Sequence, residues 1–217
     1  IYLMIVIFLI QTLYPLSVGE SVIRLVGFQM LYLIMIVAGI LVVRDSPRNF
    51  IVLVILGILW AISGVAFALN PNPLTILFAY ATIAMYQGMV AWVLLLYIFS
   101  ARVVNRDVIY ATISVYLLLG AVFVGIFGII ETITFAQTGV HAFADAQVGA
   151  DEMFPWQHFV FYSYATLTTL GYGDIIPTNL WARSFASLEA IIGVLFTTIV
   201  IARLVGLYSA SEQAELN

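Results

Sequence analysis

The chain has 217 residues, of which 64% are hydrophobic and only 8% are charged. Soluble domains carry about a quarter charged residues, so this composition predicts an integral membrane protein. The formal net charge of -4, without a basic cluster, excludes nucleic acid as a partner, and the lack of cysteine excludes disulfides, thiolate metal sites and cysteine nucleophiles.

Six apolar stretches are predicted to be membrane-spanning helices, because a helical span needs about 20 apolar residues. Short polar connections between the first four predict antiparallel neighbours. Because the sequence begins with Ile1, without a basic leader, we expect the natural N-terminus to precede it and no cleavable signal peptide. The predicted spans cover residues 1–16, 22–43, 50–69, 74–100, 108–133 and 180–208.

Arginine placement predicts the orientation, since short cytoplasmic loops collect basic residues. Arg44 and Arg48 lie between the second and third spans, and Arg102 and Arg106 lie between the fourth and fifth. The loops after the first and third spans contain no arginine. The protein is therefore expected to be a multi-pass plasma membrane protein with both termini in the cytoplasm.

A polar junction at Asn105 predicts a boundary between two domains. Residues 1–104 are predicted to form a four-span peripheral domain, and residues 105–217 a pore domain. Between the last two spans, residues 134–154 are polar and small, which indicates an extracellular turret. The helix predicted at residues 155–168 is too short to cross a bilayer and is therefore expected to be re-entrant.

The segment that follows this short helix is rich in glycine. Non-helical backbone at membrane depth persists only inside protein or beside an aqueous path, so the segment indicates a pore. Gly171 and Gly173 tolerate positive φ, which lets successive carbonyl groups point the same way. A dehydrated cation is expected to bind the Thr169 hydroxyl and the carbonyls of Thr169, Leu170, Gly171 and Tyr172. One such segment per chain predicts a homotetramer, since the ring of carbonyls needs four copies.

Thr169 to Gly173 resemble the selectivity filter of tetrameric potassium channels, with Leu170 in the place of a valine. The resemblance covers about residues 107–208. It implies an all-α integral membrane fold of six transmembrane helices, with a re-entrant pore helix and the filter between the fifth and sixth. It also implies passive, potassium-selective conduction, no enzymatic activity and no cofactor, with potassium ions as the permeant ligand.

The same resemblance assigns supporting roles around residues 169–173, the filter segment. Asp174 corresponds to the acid at the outer mouth. Phe161 and Tyr162 correspond to two aromatic residues that brace the filter from the pore helix, and the Tyr162 hydroxyl is expected to bond Asp174. Four carboxylates and a single arginine, Arg183, predict an acidic vestibule. The carboxylates are those of Asp145, Asp151, Glu152 and Asp174.

Four spans before the pore pair are the layout of voltage-gated channels, whose fourth span carries regularly spaced arginines. Residues 74–100 contain no charged residue. Steep voltage gating draws on about 3–4 charges per subunit that cross the membrane field. The sequence therefore predicts a channel without a conventional voltage sensor, with weak dependence of opening on voltage.

Three alternative functions stay open at the level of sequence. A non-selective cation channel would share this architecture, because selectivity depends on filter geometry. A potassium transporter subunit is disfavoured by the single pore loop. A membrane scaffold or enzyme that retains a pore hairpin is the third alternative, and no nucleophile motif supports it.

Four polar residues in or near the spans have two interpretations each. Glu189, within the sixth span, either braces the filter or pore helix through Thr or Tyr hydroxyls or makes a bond between helices without effect on conduction. Glu131 is predicted to be interfacial rather than a pore acid, and to hold the turret. His141 and His158 have no partner at metal-ligand spacing, so no metal site is expected.

The inner part of the sixth span contains a candidate hinge and cavity lining. Gly193 resembles the hinge glycine of potassium-channel inner helices, although close packing explains a glycine there equally well. Steps of four place Thr197, Ile201 and Val205 on one face, as expected for a cavity or for core packing. Arg203 is expected to snorkel to the membrane interface.

Overall fold

The computed structural model describes residues 1–17, 22–43, 46–145, 148–149 and 154–215. Within these residues the chain is helical apart from two short strands. The elements are α1 (Tyr2–Leu13), a 3-10 turn (Tyr14–Ser17), α2 (Val22–Val42), α3 (Pro47–Leu69), α4 (Pro73–Ser100), α5 (Arg106–Thr138), β1 (Phe143–Asp145), α6 (Trp156–Leu167), β2 (Ile175–Pro177) and α7 (Leu180–Glu215).

Among the described residues, four helices are long and apolar enough to cross a membrane: α3, α4, α5 and the Leu180–Tyr208 part of α7. Two shorter apolar helical stretches, Tyr2–Ser17 and Met30–Val42, coincide with the other two predicted spans. These helices support a membrane protein, and the count of six spans stays a prediction. Arg44, which contributed to the predicted orientation, lies outside the described residues.

Local sequence signals explain where the helices begin. Asn72 caps α4, because its side chain accepts hydrogen bonds from the amides of Leu74 and Thr75, while the Thr75 hydroxyl accepts from the Asn72 amide. Asn105 caps α5 by accepting from the Val108 amide at 2.9 Å. Each cap satisfies amides that have no partner within the first turn of a helix.

Helix α5 extends five residues beyond its predicted end. The prediction ended this span at residue 133, but the helix continues to Thr138. It stops at Gly139, which has the left-handed conformation (φ 69°) that favours glycine at a helix end. Polar residues such as Glu131 do not end the helix, because their side chains find partners nearby.

Helix α4 packs directly against α5, across the predicted domain boundary. A Cβ atom at Gly125 of α5 would lie 2.9 Å from the Tyr80 carbonyl oxygen of α4, and one at Gly128 would overlap the Tyr80 ring. Small residues allow helix backbones in a membrane to approach this closely. The peripheral helix α4 is therefore in close contact with α5, and α1 also packs against α5.

The outer end of the molecule has a second core, built from aromatic side chains. Strand β1 pairs antiparallel with β2, so that Asp145 faces Ile175, and this small sheet was not predicted. Phe143 of β1 lies 5.6 Å from Phe127, 5.4 Å from Phe159 and 5.2 Å from Tyr162, measured between ring centroids. The turret is thereby fixed to α5 and α6.

Candidate functional site

Helix α6 is inserted between α5 and α7 and carries the filter segment at its C-terminal end. The Tyr164 hydroxyl donates to the Leu117 carbonyl of α5 at 2.6 Å. The Tyr164 ring fits only because residue 120 is glycine, since a Cβ there would lie 2.7 Å from the ring. On the other side, a Cβ at Gly193 of α7 would overlap the carbonyl oxygen of Leu167, the last residue of α6.

The filter segment has an alternating backbone. Thr169, Gly171 and Gly173 have φ values of 59°, 56° and 80°, whereas Leu170 and Tyr172 do not have positive φ. Alternation between left-handed and right-handed conformations aligns successive peptide groups, with amides on one edge. Positive φ at the two glycines agrees with the predicted conformation, and positive φ at Thr169 was not predicted.

The amides of the filter segment are held by the end of α6. Leu170 and Gly171 both donate to the Ala165 carbonyl, at 2.8 and 3.2 Å. These bonds direct the amides toward α6, where the partial negative charge of the helix C-terminus lies. Leu170 and Tyr172 are 57% and 67% exposed in the single chain, so this chain alone does not cover the filter segment.

Of the two aromatic residues predicted to brace the filter, one contacts the filter segment and the other contacts α5. Phe161 stacks on Tyr172 of the filter segment, with ring centroids 5.7 Å apart and planes 20° apart. Tyr162 points the other way, with its ring 5.0 Å from that of Phe127.

The predicted bond between Tyr162 and Asp174 is wrong. The outer aromatic core holds the Tyr162 ring on the α5 side, whereas Asp174 is exposed and its carboxylate accepts from the neighbouring Ile175 amide at 3.0 Å. Asp174 is therefore exposed at the end of the filter segment and is not bonded to Tyr162.

Glu189 faces the re-entrant helix from behind, as the first interpretation of this residue expected. It is fully buried, and its Oε1 lies 2.5 Å from the Ser163 hydroxyl of α6. The partner is thus a serine, not the predicted Thr or Tyr. The same hydroxyl lies 2.8 Å from the Gly120 carbonyl, so Ser163 connects α6 to both α5 and α7.

The number of hydrogens available for the bonds around Ser163 indicates the charge state of Glu189. The Ser163 hydroxyl has one hydrogen and two oxygen neighbours, so it donates to only one of them at a time. A proton on Glu189 supplies the second hydrogen and avoids a charge within the membrane. We therefore expect Glu189 to be uncharged in this position. Its Oε2 is buried without a hydrogen-bond partner.

The inner half of α7 presents the predicted cavity face. Ile201 and Val205 are exposed at 61% and 59%, and Thr197 is half-buried, with its hydroxyl bonded to the Gly193 carbonyl. Helix α7 is continuous through Gly193, where the contact with Leu167 explains the glycine by packing. A hinge at Gly193 and a cavity lined by the three other residues stay predictions.

Arg203 contacts the end of α4, and its expected snorkelling to the membrane interface stays a prediction. Its guanidinium donates to the carbonyls of Phe99 and Ala101 at 2.7 and 2.9 Å and lies 5.3 Å from the centre of the Phe99 ring. A cation at the C-terminus of a helix satisfies free carbonyls and complements the helix dipole. Arg203 therefore ties the inner end of α7 to the end of α4.

Near β1, both histidines pair with acids that are 10 or more residues away in sequence. His141 Nδ1 lies 2.5 Å from Glu131, whose other oxygen accepts from the Ala142 amide. His158 Nδ1 lies 2.6 Å from Asp145. No local spacing signal announces these pairs, since the partners are 10 and 13 residues apart.

These pairs change the predicted roles of the outer acids. Glu131 holds the turret, as predicted. Asp145 is bonded to His158, and its contribution to an acidic vestibule stays a prediction. Asp151 and Glu152 lie outside the described residues. Among the described residues, no three His, Asp or Glu side chains are grouped to bind a metal.

Residues 121–210, from the middle of α5 through the filter segment to α7, match the family model described as "Ion channel". This part of the chain is similar to the pore-forming part of ion channels. No curated protein and no solved structure matches the chain. The match covers α6, the filter segment, Glu189 and the exposed face of α7, so the matched region includes most of the site described above. It begins within α5, and α1 to α4 lie outside it.

Proposed function

We propose that the chain forms a homotetrameric, potassium-selective channel. The observation that carries the proposal is the alternating backbone of residues 169–173 within the region similar to ion channels, with the amides of Leu170 and Gly171 bonded to α6. In this proposal K+ is bound by the carbonyls of residues 169–172 and by the Thr169 hydroxyl. Dehydration of the ion is offset by these oxygens and by the C-terminal end of the α6 dipole.

The exposure of α7 supports the tetramer. In its apolar span only 11% of the residues are buried within the chain, against 56% for α5. The filter segment is exposed on the same chain, and a closed ring of four copies would cover both surfaces. We further propose that both termini are cytoplasmic in a plasma membrane, so that Asp174 lies at the outer mouth.

Liposome flux tests the selectivity part of this proposal. Purified protein in liposomes is expected to carry K+ much faster than Na+ under matched gradients. Gly173→Ala is the matched variant, because a side chain at φ 80° is strained and disturbs the outer end of the filter segment. Equal K+ and Na+ fluxes would indicate the non-selective alternative, and no flux would favour the scaffold alternative.

We also propose that opening depends only weakly on voltage, as expected from a fourth span without charged residues. Gating-current recording with the pore blocked is the direct measurement. A conventional sensor moves about 3–4 charges per subunit. Several elementary charges per channel would contradict this part of the proposal.

A further inference from the structure

A cavity of about 570 Å³ lies between the peripheral helices and the matched region. Its walls come from helices α1 to α6 of one chain, so a second copy is not needed to form it. Most of its lining is apolar, and it includes Ile10, Tyr80, Val124 and Phe159. Cavities of this size and character are typical of sites for small organic ligands.

Two glutamine side chains in this cavity find no hydrogen-bond donor for their carbonyl oxygens within the part of the chain that the structure describes. Gln87 of α4 is only 3% exposed, and its Oε1 has no hydrogen-bond partner. Gln11 of α1 also lines the cavity, and its Oε1 is buried and unpaired as well. A buried acceptor without a donor is unfavourable, and at membrane depth bulk water does not supply one.

The orientation of the Gln11 amide is fixed by a chain of hydrogen bonds. The Tyr164 hydroxyl uses its only hydrogen on the Leu117 carbonyl, so it accepts from Gln11 Nε2, which lies 2.6 Å away. The amide nitrogen of Gln11 is therefore directed at Tyr164, which leaves Oε1 as the unpaired atom. The same chain connects the cavity to α6, whose end carries the filter segment.

We propose that this cavity binds an uncharged, single-chain amphiphile with a hydroxyl head group, taken from the membrane. The apolar lining suits the chain, and the hydroxyl supplies the hydrogen that the Gln87 or Gln11 carbonyl lacks. A charged head is disfavoured, because the carboxylate in the cavity wall, Glu131, already accepts from His141 and Ala142. An occupant bonded to Gln11 would act on α6 through Tyr164.

Tryptophan fluorescence reports on this cavity directly. Trp60 and Trp156 line it, whereas Trp92 and Trp181 are 58% and 72% exposed elsewhere. In a background with Trp92→Phe and Trp181→Phe, terminally brominated dodecanol is expected to quench the two remaining tryptophans saturably. Unlabelled dodecanol should restore the fluorescence, and dodecyl methyl ether, which has no hydrogen to donate, should compete less well.

Gln87→Leu tests the proposed hydrogen bond between the ligand hydroxyl and the Gln87 carbonyl oxygen. Loss of one neutral bond should weaken the apparent affinity by about two- to tenfold. Gln137→Leu is the matched control, because Gln137 is exposed at the end of α5, outside the cavity, and should leave the affinity unchanged. If Gln87→Leu does not fold, the competition between alcohol and ether in the parent protein decides.

Three results would overturn the proposal. The first is quenching that does not saturate, as expected for a cavity filled only by water. The second is equal competition by the ether and the alcohol, and the third is unchanged affinity in folded Gln87→Leu. This inference does not rest on potassium selectivity, and binding needs no ion flux. Saturable quenching in a non-conducting protein would therefore refute the channel proposal and leave the cavity proposal standing.

Discussion

Replacing Gly193 by alanine distinguishes a hinge at this residue from close packing of α7 against the end of α6. In a helix, alanine is more favourable than glycine by about 1 kcal/mol. At Gly193, however, the added Cβ would overlap the Leu167 carbonyl oxygen and lie 3.1 Å from Leu167 Cδ1. Overpacking costs about 1–3 kcal/mol, and here the value should be at the upper end, because the obstacle is backbone. We therefore expect a net loss of about 2 kcal/mol in the free energy of unfolding.

Gly64→Ala is the matched control, since a Cβ at Gly64 of α3 would have no neighbour within 4 Å. This variant should gain up to about 1 kcal/mol. Thermal unfolding of both purified variants in the same detergent gives the comparison, and K+ flux below the transition shows whether the end of α6 has moved. Gly193→Ala should melt below the parent protein and Gly64→Ala at or above it.

The reasoning would be refuted if Gly193→Ala melted as high as Gly64→Ala. A stable variant with altered opening would instead favour the hinge at Gly193. A less stable variant with reduced flux would favour close packing against the end of the re-entrant helix.

The remaining predictions concern the contacts around the pore and its outer mouth. Glu189→Gln keeps an uncharged partner for Ser163 and should unfold near the parent temperature. Ser163→Ala leaves the proton of Glu189 without an acceptor and removes the donor to the Gly120 carbonyl, so it should cost about 1–3 kcal/mol; calorimetry measures both variants. Arg203→Gln weakens the tie to α4, so trypsin should cut after Arg102 faster than in the parent, and an unchanged rate would contradict the tie. Asp174→Asn should reduce inward K+ current at low salt and have little effect at high salt, where screening is short-ranged; equal effects at both would exclude electrostatic focusing.

The positions of the helices could be predicted from the sequence because the bilayer imposes their length and composition. The fourth span was predicted at residues 74–100, and α4 is Pro73–Ser100. The end of α5 was predicted five residues early, since hydropathy does not show that Glu131 has a partner in the turret. The sheet of β1 and β2 was missed, because strands of three residues have no periodicity to detect.

Within the site, conformations that depend on residue type were predictable and those that depend on distant neighbours were not. Positive φ at Gly171 and Gly173 follows from the lack of a side chain, whereas positive φ at Thr169 depends on the surrounding structure. The direction of the Tyr162 ring is set by aromatic residues of α5 and β1, which sequence spacing does not bring together. The same reason explains why the partner of Arg203, at the end of α4, was missed.

The most direct test of the central claim is the reversal potential of the purified protein in a planar bilayer, with K+ on one side and Na+ on the other. A potassium-selective tetramer predicts a large reversal potential of the sign expected for K+ permeation, which collapses in Gly173→Ala. A reversal potential near zero in the parent protein would contradict potassium selectivity.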